Sequence, residues 1–182
     1  MLVMAARAGE PWAIEAIFRR YAPLVNGLAF RLLGGDADLD DIVQESFAEA
    51  LSSLSRIRNT ETFPAWISAV VVRTTHKLLR RRRLMTRLGL RRAAPVPWET
   101  IAARVMPPDV AFELKTLYRV VENMGPELRI PLLLRRVEDA SLEEIARLTG
   151  VSLATVKRRL TRAQAELDAA GDRNQEDSDA HR

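Results

Sequence analysis

Residues 141–163, SLEEIARLTGVSLATVKRRLTRA, constrain this chain more than any other stretch. They read as two short helices about one tight turn. Ser141 is a suitable N-cap, and Glu144 three residues on completes a capping box that satisfies two backbone N–H groups left without helical partners. Leu142, Ile145, Ala146 and Leu148 give the first helix an apolar stripe. Gly150 tolerates the left-handed conformation that stops a helix. Ser152 can cap the second helix, in which Val156, Leu160 and Ala163 share a face while Lys157, Arg158, Thr161 and Arg162 lie off it. A short helix, a glycine turn and a basic helix make the helix-turn-helix arrangement. Such a helix fits the DNA major groove, where each base pair shows its own pattern of donors and acceptors. The same local pattern also builds ordinary helical hairpins with a solvated polar face, so the rest of the chain has to decide between the two.

Charge is distributed in blocks. Residues 36–49 carry Asp36, Asp38, Asp40, Asp41, Glu45 and Glu49 and no base. Residues 73–92 carry Arg73, Lys77, Arg80 to Arg83, Arg87, Arg91 and Arg92 and no acid. Segregation of this kind suggests separate surfaces for separate partners, the basic one suited to a polyanion such as nucleic acid. The chain has 182 residues, 47% of them hydrophobic, which is core enough for one domain or two small ones. The absence of Cys excludes disulfides and thiolate metal sites. The opening MLVMAARAGE is too short and too soon charged for a signal peptide, and no uncharged apolar run reaches the length of a membrane span. A cytoplasmic location is expected.

The periodicity predicts an all-α chain. Residues 10–33 repeat apolar positions at helical spacing through Ile14, Ile17, Phe18, Tyr21, Leu24, Val25, Leu28 and Leu32, with Pro11 suited to a first turn and Pro23 able to kink or split the helix. A second helix over 36–54 gathers Asp at its N-terminus, where the macrodipole favours it. Its inward stripe is Val43, Phe47, Ala50, Leu51 and Leu54. Asp38, Asp41, Glu45 and Glu49 fall opposite, with Ile42 among them, which reads either as a docking feature or as a solvated face with one stray apolar side chain. After a polar loop, 55–62, a third helix over roughly 62–83 buries Phe63, Trp66, Ile67, Val70, Val71, Thr74 and Leu78. Its run Ile-Ser-Ala-Val-Val-Val favours a strand, but the pattern on both sides is helical. The closing run Arg80 to Arg83 lines a nucleic-acid groove or begins a solvated linker. Residues 84–108, with Gly89, Pro95, Pro97, Pro107 and Pro108, have the signature of a flexible linker. Four helices are expected after it, over roughly 109–123, 126–138, 142–149 and 153–169. Residues 171–182 read as a disordered tail. Two small helical domains follow, 1–83 and 109–170, the second a helix-turn-helix domain.

In this order the segments resemble the extracytoplasmic-function sigma factors of bacterial RNA polymerase. The resemblance rests on AIEAIFRRYAPLVNGLAFRLLGGDADLDDIVQESFAEAL, on Phe63 to Ile67 (FPAWI) and on SLEEIARLTGVSLATVKRRLTRAQAEL. It implies that the first domain binds the clamp helices of the largest subunit of core polymerase, with Asp41, Ile42, Gln44 and Glu45 as contacts. It implies opening of the promoter's minus-ten element, with a flipped base held at the 55–62 loop by Arg56, Arg58 and Asn59. The basic pattern of the chain itself, apart from the resemblance, offers Arg73, Lys77, Arg80 and Arg81 as groove contacts to that DNA, with Trp66 beside them. The minus-thirty-five element would be read by the helix around Ala154 to Arg162, through Thr155, Lys157, Arg158, Thr161 and Arg162. The linker would thread towards the polymerase active site. An anti-sigma factor, often membrane-bound, would hold the protein inactive.

The chain departs from that pattern at Arg73 and Lys77, where the family often has an Asn and an acid. It also departs at Met124-Gly125-Pro126 in place of a Leu-Pro helix opening, and at Pro131. Extra positive charge strengthens backbone binding without adding selectivity, because phosphate contacts position but do not specify. No catalytic constellation, cofactor motif, metal site or small-molecule substrate site is legible. His76 and His181 lack triad or ligand neighbours, and Gly34-Gly35 is not followed by the Lys-Ser/Thr of a phosphate loop. Trp12, Trp66 and Trp98 read as core or linker packing, Trp66 alternatively as a stacking ring on the DNA side. The rival readings are a helix-turn-helix transcriptional regulator that needs no polymerase, and a polymerase-docking adaptor without initiation activity.

Overall fold

The computed structural model describes residues 2–33, 38–57, 60–90, 118 and 120–179, with the backbone alone at 56, 60 and 171–179. The described residues are helical and contain no strand. The chain forms two compact units, Met1–Leu78 and Leu79–Arg182.

In the first unit, α1 (Leu2–Arg7) buries Val3 and Ala6 against α2 (Pro11–Leu33). This short helix was not expected from so few residues. It is held from outside: Arg7 Nη1 donates to the Ile57 carbonyl at 3.2 Å. Pro11 opens α2 as expected, and Pro23 leaves it unbroken. Ala13, Ile17, Val25, Leu28, Ala29, Leu32 and Leu33 are its buried face. Ile14, Phe18 and Leu24, expected in that face, are exposed, because the apolar arc is wider than the area its neighbours cover. Phe18 still keeps one side against Phe47, with ring centroids 4.6 Å apart. Trp12 is 59% exposed, which corrects the reading of it as packing.

Helix α3 (Leu39–Ser52) buries Ile42, Val43, Ser46, Phe47 and Ala50. Two 3-10 turns, Leu54–Arg56 and Thr60–Thr62, occupy the expected loop and lead into α4 (Phe63–Arg87). Phe63, Ile67, Val70, Val71, Val72, Thr74 and Thr75 are buried there. The β-branched run stays helical because packing outweighs propensity. Each such residue gives up roughly 0.5 kcal/mol of helix preference, while burying a large apolar side chain gains about 1.5–3 kcal/mol.

Helix α4 runs four residues beyond Arg83, the expected end. Arg, Leu, Met and Thr supply no stop signal until Gly89, at φ +70, where the Leu90 N–H closes back on the Met85 carbonyl at 2.9 Å. The expected linker start at 84 is therefore corrected, and the two units divide inside α4 rather than in 84–108. Residues 91–108 of that linker, Trp98 and nearly all of the expected helix 109–123 lie outside the described residues.

In the second unit α5 (Pro126–Arg136), α6 (Leu142–Thr149) and α7 (Leu153–Asp179) pack on one another. Gly125 is the N-cap of α5 and Pro126 its first residue, so Met-Gly-Pro serves as a helix start. Pro131 is buried inside α5, which continues past it to Arg136. The core comprises Leu128, Ile130, Leu132, Leu133 and Leu134 of α5 with Ile145, Val156 and Ala163. Helix α7 continues to Asp179, which corrects the reading of 171 onward as a disordered tail. The segment has no Pro, and i,i+4 contacts such as Gln164–Asp168 at 2.7 Å and Arg162–Glu166 at 3.5 Å support its middle. Residues 180–182 of that tail lie outside the described residues.

Candidate functional site

The helix-turn-helix is built as its sequence requires. Glu144 N–H donates to Ser141 Oγ at 3.2 Å, and the Ser141 N–H donates to Glu144 Oε2 at 2.9 Å, closing the capping box. The Ser141 N–H, then the Ser141 hydroxyl and the nearby Arg147 guanidinium, hold the Glu144 carboxyl below its ordinary range. Gly150 ends α6 at φ +70, a conformation that favours glycine, and its N–H reaches the Ala146 carbonyl at 2.9 Å. Ser152 caps α7 through the Thr155 N–H at 3.3 Å. Val156 and Ala163 are fully buried and fix the rotation of α7. Lys157 and Arg158 consequently stand exposed, with no acid within ion-pair distance among the described residues. Arg162 is exposed but leans to Glu166. The hydroxyls of Thr155 and Thr161 already have local partners, Ser152 Oγ at 2.9 Å and the Lys157 carbonyl at 3.1 Å.

The first unit presents two charged stripes. On α3, Asp41, Gln44 and Glu45 are exposed, at the i, i+3, i+4 spacing of one helix face. Ile42 does not join them. It is 2% exposed, with Val43 and Phe47 in the core, so the sequence reading of Ile42 as a surface contact is corrected. The inward arc of α3 is broader than one narrow stripe, and Ile42 falls inside its edge. On α4, Trp66, Arg73, Lys77, Arg80 and Arg81 fall within about 100° of one another at 100° per residue. The four cations are exposed and Trp66 is half-buried, its ring 6.1 Å from that of Phe63.

The two stripes meet. Arg73 Nη2 lies 3.0 Å from Glu49 Oε1, and Lys77 Nζ lies 3.3 Å from Glu45 Oε1. Glu49 was legible as an acid on the outer face of α3, but nothing in the one-dimensional pattern tied it to Arg73. Arg58 and Asn59 lie outside the described residues, and Arg56 is described only as backbone in a 3-10 turn.

The chain matches the Sigma-70 region 2 family over residues 17–84 and the Sigma-70, region 4 family over 114–167. The RNA polymerase sigma factor SigV of Bacillus subtilis (strain 168) is 34% identical over 136 residues, covering 75% of this chain and 77% of the relative. This chain belongs to the extracytoplasmic-function sigma factors. The ECF RNA polymerase sigma-E factor of Escherichia coli (strain K12) is 26% identical to this sigma factor over 175 residues, 92% of one chain and 91% of the other. Among solved structures, the sigma factor RpoE of Bartonella quintana in complex with the anti-sigma factor NepR superposes with a TM-score of 0.62 at 18% identity, over 86% of this chain and 94% of that one. CnrH in complex with the cytosolic domain of CnrY gives 0.58 at 21% identity, over 94% and 95%. At such identities these two speak to the fold alone.

As a sigma factor the chain is a transcription initiation factor that binds core RNA polymerase and directs it to promoters. A helix-turn-helix regulator that needs no polymerase has no use for the region 2 match, and that reading is not favoured. Among the described residues no helix is long and apolar enough to cross a membrane, and no group of His, Cys, Asp or Glu could hold a metal ion.

Proposed function

We propose a division of labour among three surfaces of this sigma factor. Asp41, Gln44 and Glu45 on α3 dock the clamp helices of core polymerase. Trp66, Arg73, Lys77, Arg80 and Arg81 on α4 follow the strand separated at the minus-ten element, and Arg56, Arg58 and Asn59 hold the flipped base. Lys157, Arg158 and Arg162 on α7 read the minus-thirty-five element, with Thr155 and Thr161 in lesser parts because their hydroxyls are already engaged.

The observation that carries this reading is the outward set of Lys157 and Arg158 above the buried pair Val156 and Ala163 on the second helix of a capped helix-turn-helix. The work is binding work. Unstacking a base costs a few kcal/mol, which interactions made only with open DNA must offset. A half-buried tryptophan among four cations supplies stacking and phosphate attraction together. The protein acts without enzymatic chemistry of its own and works in the cytoplasm. The anti-sigma factor NepR bound to one solved structural relative, and the cytosolic domain of CnrY bound to the other, support a proteinaceous inhibitor for this chain too, one able to hold it at the inner membrane.

Run-off transcription with purified core polymerase on a genomic promoter library tests the reading. Defined start sites are expected, with Arg158→Ala lowering their use and relaxing the minus-thirty-five preference. A protein that binds core yet directs no start site would leave the adaptor reading in its place.

A further inference from the structure

The ion pairs between α3 and α4 tie together surfaces assigned to different partners. Glu45 sits in the stripe assigned to polymerase and Lys77 in the stripe assigned to DNA, yet they hold each other at 3.3 Å. Glu49 and Arg73 repeat the relation at 3.0 Å. Four residues forward on α3 match four back on α4, so the pairs are successive rungs of one antiparallel seam, a helical turn apart. All four side chains are at least 43% exposed. Pairs of this kind are shielded by water, and either member can trade its partner for a stronger one. For Arg73 and Lys77 a phosphate is such a partner. For Glu45 and Glu49 a cationic protein surface is. The buried hydroxyls of Ser46 and Thr75, on the same two helices, make no hydrogen bond to any of the four.

We propose that this seam is one exchangeable interaction surface for two charged partners: a cationic protein surface takes Glu45 and Glu49, and the phosphate backbone of single-stranded DNA takes the Lys77 and Arg73 so released. The proposal rests on the assignment of α3 to polymerase and α4 to DNA. In the free chain two carboxylates compensate two of the four exposed cations of the α4 stripe. Docking removes that compensation at the moment DNA is to be engaged. Because coupling between two sites is reciprocal, DNA on α4 also frees the carboxylates for the protein partner. The seam gives Arg73 and Lys77 a reason to be cationic in this chain, since an acid at 77 would face Glu45 with like charge.

The test is a double-mutant cycle read on DNA. Full-length wild type, E45Q, K77Q and E45Q/K77Q are titrated with a fluorescent single-stranded oligonucleotide across salt concentrations, each alone and with saturating core polymerase. In the free chain E45Q is expected to tighten binding about two- to fivefold, the worth of an exposed pair. It should also steepen the salt dependence by about 0.7, one phosphate on a single strand. K77Q abolishes both gains. On core, E45Q brings no such gain, because Glu45 is already engaged. D40N removes an exposed acid from the same helix and controls for net charge, its effect simply adding to that of K77Q. Additivity of E45Q and K77Q in the free chain would overturn the seam, as would an E45Q gain that persists undiminished on core. A D41K variant that binds core like wild type would remove the docking assignment whatever the cycle shows, so the two failures are told apart.

Discussion

Glu45 of α3 and Lys77 of α4 face each other at 3.3 Å, Oε1 to Nζ, with 51% and 80% of their side chains exposed. The contact joins an acidic and a basic surface that the sequence presents as separate blocks. Its exposure says that it contributes little to folding. Lys77→Gln is expected to lower the unfolding free energy by at most ~0.5 kcal/mol in urea denaturation. A loss several times larger would mean that the pair holds α3 to α4, and exchange of partners along the seam would be too costly.

Ile42 separates packing from docking. It is buried although it lies beside Asp41. Ile42→Ala is expected to cost about 2–4 kcal/mol of stability, the usual range for emptying a core site. The folded fraction should bind core polymerase like wild type. Unchanged stability together with weakened core binding would return Ile42 to the surface.

Asp41 is the converse case, exposed near the N-terminus of α3. Asp41→Lys is expected to leave stability within about ±1 kcal/mol, the allowance for a surface site that also loses a favourable charge at a helix N-terminus. It should weaken core binding at least about tenfold, or 1.4 kcal/mol, by fluorescence anisotropy. Undiminished binding would move the docking surface elsewhere.

Arg158 projects from α7 with no acid within ion-pair distance among the described residues. Arg158→Ala is expected to cost about 1–3 kcal/mol of affinity for the minus-thirty-five element, and to relax selectivity at a base pair, as loss of a base-edge contact does. Equal weakening on every sequence tested would make Arg158 a phosphate contact.

Glu144 makes the turn sensitive to acid. Its carboxyl is held below the ordinary value of 4.5 by the Ser141 N–H, the Ser141 hydroxyl and Arg147. A depressed folded-state pKa contributes stability that is complete above the unfolded value and drains away as pH falls through the folded one. The protection of amides in the first turn of α6, taken as exchange relative to the unstructured rate at the same pH, should therefore fall as pH is lowered below 4.5, and Glu144→Gln should flatten that dependence. An identical pH profile in the variant would refute the link.

The sequence by itself determined the local structure. Capping at Ser141, the left-handed stop at Gly150 and the apolar spacing of α2 and α4 depend on neighbours within a few residues, so they are written in order along the chain. That is why the two helical units and the helix-turn-helix were legible, down to the outward set of Lys157 and Arg158. Where helices end was less so: α4 and α7 run past the expected stops because nothing local halts them. Only the tertiary structure decided that Ile42 is inside, that Phe18 and Trp12 are outside, and that Glu45 and Glu49 meet Lys77 and Arg73. Those outcomes depend on how much of a helix face its neighbours cover and on residues 24 to 32 positions apart. Periodicity gives the direction of a side chain about its own axis. It does not say what stands opposite.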